Sequence, residues 1–312
     1  MPRHERTLVI SARRGPRPEG FASLRTGALV DAAAWASAHA EGRHILRALA
    51  VSDLARTAVV VSHTTGAAAW GLPLVSVFDT AVHCIPVSPH SNKTRGDVIR
   101  HDVPLPEEDI TEVDGIRVTT LSRTVFDVIR MLDLRGGLAC FDAAVRLVAW
   151  SDETRSLDRA RAEEFTESVR KRVYLGTGAR GIRRARIALE LVDGRAQRPG
   201  ESISRLLMWE LELPAPDLQV RVETDAGVAY LDFAWPQLRL FGEFDGEVKL
   251  TDPEFTRGRP RELILAMQAA RRNAVEEATS WQALHWGWAD IADAGTFWAT
   301  LHGQGWPPRH PR

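Results

Sequence analysis

Three carboxylates stand among strand hydrophobes in Tyr230-Leu-Asp-Phe-Ala-Trp-Pro-Gln-Leu-Arg-Leu-Phe-Gly-Glu-Phe-Asp-Gly246. Asp232 lies within the apolar run from Val228 to Ala234, and Glu243 and Asp245 come at the end of the run from Leu238 to Phe244. A carboxylate in such a place is costly to desolvate unless it is paired, hydrogen-bonded or bound to a cation. Residues two apart share a face of a strand, so Glu243 and Asp245 are expected to point the same way, with Asp232 in reach from the neighbouring strand. Three hard oxygen donors converging at a strand end suit a Mg²⁺-type ion. The alternative is structural: Asp232 and Glu243 neutralised by arginines such as Arg205 or Arg271.

A second group of residues suits phosphate. Arg170, Lys171, Arg172, Arg180, Arg183, Arg184 and Arg186 fall in a stretch with no acid among them. Such a run can follow a nucleic-acid backbone and confer salt-dependent, sequence-independent affinity; it can equally be a solvated helix face. Elsewhere the chemistry is sparse. His63 beside Thr64 and Thr65 could be a base next to a nucleophile, but no third partner is placed by the sequence, and a capping hydroxyl with a satisfied histidine accounts for them. Arg123 and Asp127, four apart on one helix, suit a surface or domain-bridging ion pair. There is no nucleophile elbow, and Gly176-Thr-Gly-Ala-Arg-Gly181 lacks the lysine and the preceding strand of a phosphate loop, so it reads as a helix–helix connection.

The elements that must carry these residues follow from pattern. Trp235-Pro236-Gln237 breaks the ladder between the two acid-bearing runs, which makes them a β-hairpin. A helix begins at Pro199, with Ile203, Leu206, Leu207 and Trp209 in period and Glu201 in its first turn, where a carboxylate suits the helix dipole. Downstream, Arg259 to Glu277 reads as a helix, Ala283 to Trp288 as a strand and Ala289 to Leu301 as a closing helix. Upstream, residues 1–30 are rich in Arg, Gly and Pro without a sustained period, and are expected to be poorly ordered or a remnant. Asp31 to Ala55 favours a helix or two, Thr57 to Ser62 a buried strand, and His63 to Trp70 a helix of small residues ending at Gly71. Val75–Pro86 and Asp97–Val103 alternate as strands, and Asp114-Gly115 signals a tight turn. Helices follow at Thr119 to Arg130, Leu138 to Trp150, Arg155 to Val173 and Gly181 to Val192. Arg195-Ala-Gln-Arg-Pro-Gly200 is the domain boundary. The fold class expected is α/β: an α+β portion over residues 31–194 and a mixed sheet flanked by helices over 195–312.

Asp232, a spacer of about ten residues, then Glu243-Phe-Asp-Gly246 and Lys249 resembles the core of the PD-(D/E)XK nucleases. More narrowly, it is similar to bacterial relatives of very-short-patch-repair endonucleases. The resemblance makes Glu201 the leading acid on the helix and implies a restriction-endonuclease-like domain holding Mg²⁺ (or Mn²⁺) through Asp232 and Glu243, with Asp245 or Glu201. It gives Lys249 the motif's catalytic lysine role, orienting water or stabilising charge on phosphate. In many members that lysine lies two residues after the second acid, where this chain has Asp245. Arg271 and Arg272 match the basic part of the family's long-helix pattern and join the candidate DNA contacts, while Asn273 replaces an acid often found there. Ser62-His-Thr-Thr-Gly-Ala-Ala-Ala-Trp-Gly-Leu-Pro-Leu74, the Val-His-Cys-Ile-Pro strand and Ile116-Arg-Val-Thr-Thr-Leu-Ser-Arg-Thr-Val-Phe-Asp127 resemble AbiEi antitoxins of type IV toxin–antitoxin systems. That family commonly begins with a DNA-binding winged helix; residues 1–30 lack room for its recognition helix.

The 312 residues suit two domains, and 44% hydrophobic content suffices for packed cores. No apolar run approaches a membrane span, and the polar start Met1-Pro-Arg-His-Glu-Arg does not resemble a signal peptide. Cys84 and Cys140 lack metal-ligand spacing and read as core hydrophobes, which fits a reducing cytoplasm. Together these readings lead to a metal-dependent DNA endonuclease-like protein linked to toxin–antitoxin or defence systems. The alternative is a non-catalytic regulator binding DNA or a cognate toxin.

Overall fold

The computed structural model describes residues 9–11, 18–55, 59–75, 77, 80–87, 96–246 and 260–307. The chain divides into two compact units, Met1–Gly194 and Arg195–Arg312. The division falls at the start of the Arg195–Gly200 stretch. The architecture is α/β, with helices packed on mixed sheets.

In the first unit, β1 (Val9–Ser11), β2 (Phe21–Arg25) and β3 (Ala28–Asp31) form an antiparallel sheet in the order β1-β3-β2. Order in this part of residues 1–30 corrects the expectation of a poorly ordered remnant. Strands of three to five residues are too short to show a period, and the β2–β3 turn depends on Gly27 at φ 88°. Helices α1 (Ala32–Ser37) and α2 (Ala40–Leu54) follow. A five-stranded mixed sheet runs β6 (Val98–Arg100), β5 (Val82–Pro86), β4 (Val59–Val61), β8 (Ile116–Thr119), β7 (Ile110–Val113). Asp114 (φ 49°) and Gly115 (φ 76°) make the β7–β8 turn, both left-handed as a type I′ turn requires. Helix α3 (His63–Ala69) is buried along its whole length, which its small residues permit. It packs with α2 and with α4 (Leu121–Met131), and α4 packs in turn with α5 (Leu134–Ala149). The two-stranded ribbon of β9 (Trp150–Ser151) and β10 (Ser156–Leu157) leads to α6 (Arg159–Leu175) and α7 (Ile182–Leu191). Cys84 and Cys140 are buried in this core, and burial pushes the Cys140 thiol up to about 12.

The second unit runs α8 (Pro199–Glu210), β11 (Asp217–Thr224), β12 (Gly227–Trp235), β13 (Leu240–Phe244), α9 (Arg261–Thr279), β14 (Gln282–Trp286), α10 (Ala294–Gly303). Pro199 starts α8 at a position where its missing N–H costs nothing. The sheet order is β11-β12-β13-β14, antiparallel except for the parallel β13·β14 pair. A 3₁₀ turn at Pro236–Leu238, closed by left-handed Arg239 (φ 53°), joins the two acid-bearing strands. Ala234 and Phe241 pack with Val275 of α9. Trp235 and Trp286 are fully buried; the Trp286 indole donates to Ser204 Oγ on α8 at 2.7 Å and that of Trp235 to the Pro214 carbonyl at 2.8 Å. Gly242 is dictated by this packing: a Cβ there would lie 2.3 Å from the Trp286 ring. Among the described residues no helix is long and apolar enough to cross a membrane.

Candidate functional site

The β12·β13 ladder fixes where the acids meet. Its last pairs are Trp235↔Leu240, Ala234↔Phe241 and Phe233↔Gly242. One step further brings Asp232 opposite Glu243, on the face shared by Ala234 and Phe241. The ladder stops there because a side chain takes over: Asp232 Oδ2 accepts the Phe244 backbone N–H at 3.1 Å. The other oxygen, Oδ1, accepts from Gln219 Nε2 at 3.5 Å. Asp232 and Glu243 are both half-buried.

Each remaining acid has its own partner. Glu243 Oε1 lies 3.3 Å from Arg271 Nη2 on α9, and the same guanidinium donates to the Tyr230 carbonyl. Arg271 is therefore the arginine set against Glu243, as the structural alternative had it. Asp245 Oδ2 lies 3.4 Å from His285 Nδ1; β13·β14 pairing, which sets Glu243 opposite His285, brings that ring close. Glu201 is buried in the first turn of α8, and its Oε2 accepts the Gln197 N–H at 2.8 Å. Among the described residues no group of three or more His, Cys, Asp or Glu side chains is placed to hold a metal ion. The expected convergence of three donors is not found there; Asp232 and Glu243 remain as a facing pair. Two carboxylates still fit Mg²⁺ chemistry, because that ion commonly takes one or two carboxylates and keeps several waters. Lys249 lies outside the described residues.

The basic run divides into unlike parts. Arg172 serves the fold: it ion-pairs with the buried carboxylate of Asp109 and donates to Ser122 Oγ at 3.3 Å, which corrects its assignment as a phosphate contact. Arg184 donates to the Arg130 carbonyl at 2.9 Å, closing the last turn of α4. Arg170 is paired with Glu163 and Glu167, acids that precede the acid-free stretch on the same helix. Lys171, Arg180, Arg183 and Arg186 are exposed, near exposed Tyr174 (78%) and Leu175 (83%). In the second unit Arg271 is exposed and Arg272 half-buried.

Two other clusters lie in the first unit. Arg123 and Asp127 form a buried pair, not a surface one: Arg123 donates to Asp127 Oδ2 at 3.0 Å, to Asp109 Oδ2 at 2.9 Å and to the Pro104 carbonyl at 3.0 Å. Burial pushes the Asp109 carboxyl up, but bonds from Arg172 and Arg123 outweigh it and hold the group below its ordinary value. For Asp127 burial prevails over Arg123, and its carboxyl sits above the ordinary value. The second cluster is histidine. His63 stacks on His101 with ring centroids 3.5 Å apart, and His101 Nε2 meets His83 Nδ1 at 2.9 Å. Ser62 Oγ contacts His63 Nδ1 at 2.9 Å, and Thr65 Oγ1 accepts the His83 N–H at 2.9 Å. These are packed core contacts, and the bond to Thr65 Oγ1 comes from a backbone N–H and not from an imidazole. Burial, then the neighbouring imidazoles, lowers His63 well below its usual value; burial and His83 bring His101 to about 4.

Gln219, Gln197 and His285 had no mark in the sequence. Only the strand register places the first opposite Asp232 and the last opposite Glu243.

No family model matches the chain, and no solved structure matches it. Two uncharacterized proteins of Mycobacterium tuberculosis, MT2308 and Rv2248, from different strains, are similar to it: each is 35% identical over 137 residues, or 44% of this chain. The chain spans 45% of the length of these relatives.

Proposed function

We propose that the second unit is a PD-(D/E)XK-like, metal-dependent DNA endonuclease domain of a cytoplasmic protein, joined to an AbiEi-antitoxin-like first unit. The observation that carries the reading is the facing pair Asp232 and Glu243 at the point where the β12·β13 ladder opens, with Asp232 held by the Phe244 N–H. An amide-bound carboxylate keeps its charge and a fixed direction, which suits a cation ligand better than a plain surface acid. In this reading Asp232 and Glu243 hold Mg²⁺ or Mn²⁺. The chemistry supplied by the bound ion is polarisation of the phosphodiester and acidification of a water. With Glu243 holding the cation, Arg271 would be released to phosphate, and Lys249 would carry the role of the motif's lysine. Lys171, Arg180 and Arg183, exposed on the first unit, supply backbone contacts to DNA.

The test is calorimetric Mn²⁺ titration of wild type beside Asp232→Asn and Glu243→Gln, followed by cleavage assays on several DNA forms. Binding by wild type alone, with cleavage dependent on the ion, supports the reading. No binding by wild type ends it.

A second reading is favoured by the Arg271–Glu243 pair, which neutralises one acid without a metal. The protein is then a non-catalytic antitoxin or transcriptional regulator that binds DNA or a cognate toxin. Operator binding or toxin capture by a chain that takes up no Mn²⁺ would establish it.

A further inference from the structure

Gln219 lies in the middle of β11 with φ 54°, in the left-handed region that a non-glycine residue seldom occupies. The β11·β12 register passes from Leu218↔Phe233 to Val220↔Leu231, and Gln219 with Asp232 is the position skipped between them. A departure of this kind directly opposite a candidate ligand, in an otherwise regular ladder, points to a requirement of the site.

The side chains show what the departure achieves. Gln219 Oε1 accepts from Gln197 Nε2 at 3.0 Å, and this sets which end of the amide faces where. Its Nε2 is thereby directed at Asp232 Oδ1, 3.5 Å away. Gln197 is anchored in turn through its backbone N–H, which donates to buried Glu201 at 2.8 Å. Both oxygens of Asp232 thus receive a donor, Phe244 N–H on Oδ2 and the Gln219 amide on Oδ1. Two donors on two oxygens fix the plane of a carboxylate.

We propose that Gln219 is a positioning residue whose side-chain amide, oriented by Gln197, holds the Asp232 carboxylate in its cation-binding plane. The proposal rests on the reading of Asp232 and Glu243 as a cation-holding pair. It also gives Glu201 a part that does not require it to touch the metal: it anchors the relay through Gln197.

The experiment is Mn²⁺ titration calorimetry on the full chain, wild type beside Gln219→Gly, with the thermal midpoint of each measured without metal. Glycine adopts φ 54° freely, so the substitution removes the amide and relieves the backbone at once. The expected result is Mn²⁺ affinity weakened about 10-fold, the lower end for loss of an outer partner, with a midpoint equal to or above that of wild type. A purely structural glutamine would lower the midpoint instead, or leave affinity alone. An affinity loss smaller than about threefold, or one accompanied by a lowered midpoint, overturns the inference and leaves the proposed function standing. Absence of Mn²⁺ binding in wild type overturns both. Should Gln219→Gly fail to fold, Gln219→Asn, which tolerates the left-handed region with an amide too short to bridge, is read by the same two measurements.

Discussion

Arg123→Ala should cost the first unit about 3–5 kcal/mol, the range for removing one partner of a buried charge pair. The side chains of Arg123, Asp109 and Asp127 are only 9%, 3% and 3% exposed, so water cannot replace the guanidinium. Asp109 keeps Arg172 in the variant, whereas Asp127 loses its hydrogen-bonded cation. Most of the loss should therefore come from Asp127. A double-mutant cycle with Asp127→Asn should reveal a coupling of about 2 kcal/mol, within the range for residues in direct contact. The deficit should also depend on pH. With Arg123 gone, the folded pKa of Asp127 rises further above its unfolded value. The folded state then holds the extra proton, and stability is lost as pH rises above the unfolded carboxyl range. The deficit of Arg123→Ala is accordingly smaller at pH 5 than at pH 8 by this linkage. Hydrogen exchange of the α4 amides, Leu121–Met131, reads the first unit without interference from the second. A loss of this size speeds exchange by roughly two to four decades where the amides open with the unit. A loss below about 1 kcal/mol, or additive single and double variants, would refute the account of a buried, interdependent cluster.

The histidine cluster should make the first unit acid-sensitive. His101 falls from an ordinary 6.5 to about 4; the unfolded chain therefore takes up the proton first, and stability is lost as pH drops from about 6.5 towards 4. The full difference corresponds to about 3 kcal/mol, which partial solvent access reduces to about 1–2 kcal/mol. His101→Gln should flatten the dependence of α3 and α4 exchange on pH between 7 and 5, and equal slopes in both proteins would refute the assignment. Gly242→Ala should destabilise the second unit by about 1–3 kcal/mol or more, because its Cβ meets Trp286 at 2.3 Å and Trp235 at 3.3 Å; an unchanged thermal midpoint would contradict that packing. If the exposed basic residues contact DNA, Lys171→Ala and Arg183→Ala should each lower the slope of log affinity against log salt by about 1. Arg172→Ala should act differently, loosening α6 through loss of its Asp109 pair, with hydrogen exchange as the readout.

The order of elements was legible because it rests on local rules. Apolar runs marked the acid-bearing strands, Pro236 marked the break between them, and β12 and β13 lie on either side of it. Asp114-Gly115 marked the β7–β8 turn, small residues marked α3, and apolar spacing marked α8 and α9, whereas β11 (Asp217–Thr224) was not located in the sequence. A period needs length, so the three short strands within residues 9–31 left no trace. The neighbours of each charged group were a matter for the tertiary structure. Arg271 at Glu243, His285 at Asp245 and Gln219 at Asp232 come from other elements, delivered by strand register and helix packing. The same cause divided the basic run: Arg172 and Arg184 are taken up by Asp109 and the α4 carboxyl end, while Lys171, Arg180 and Arg183 face water. Arg123 and Asp127 met at i and i+4 as their spacing requires, but spacing along a helix does not say which side is covered. The sequence alone determined which residues could carry charge to a strand end. Packing decided which of those charges were answered within the fold, because desolvation and pairing depend on distances between segments far apart in the chain.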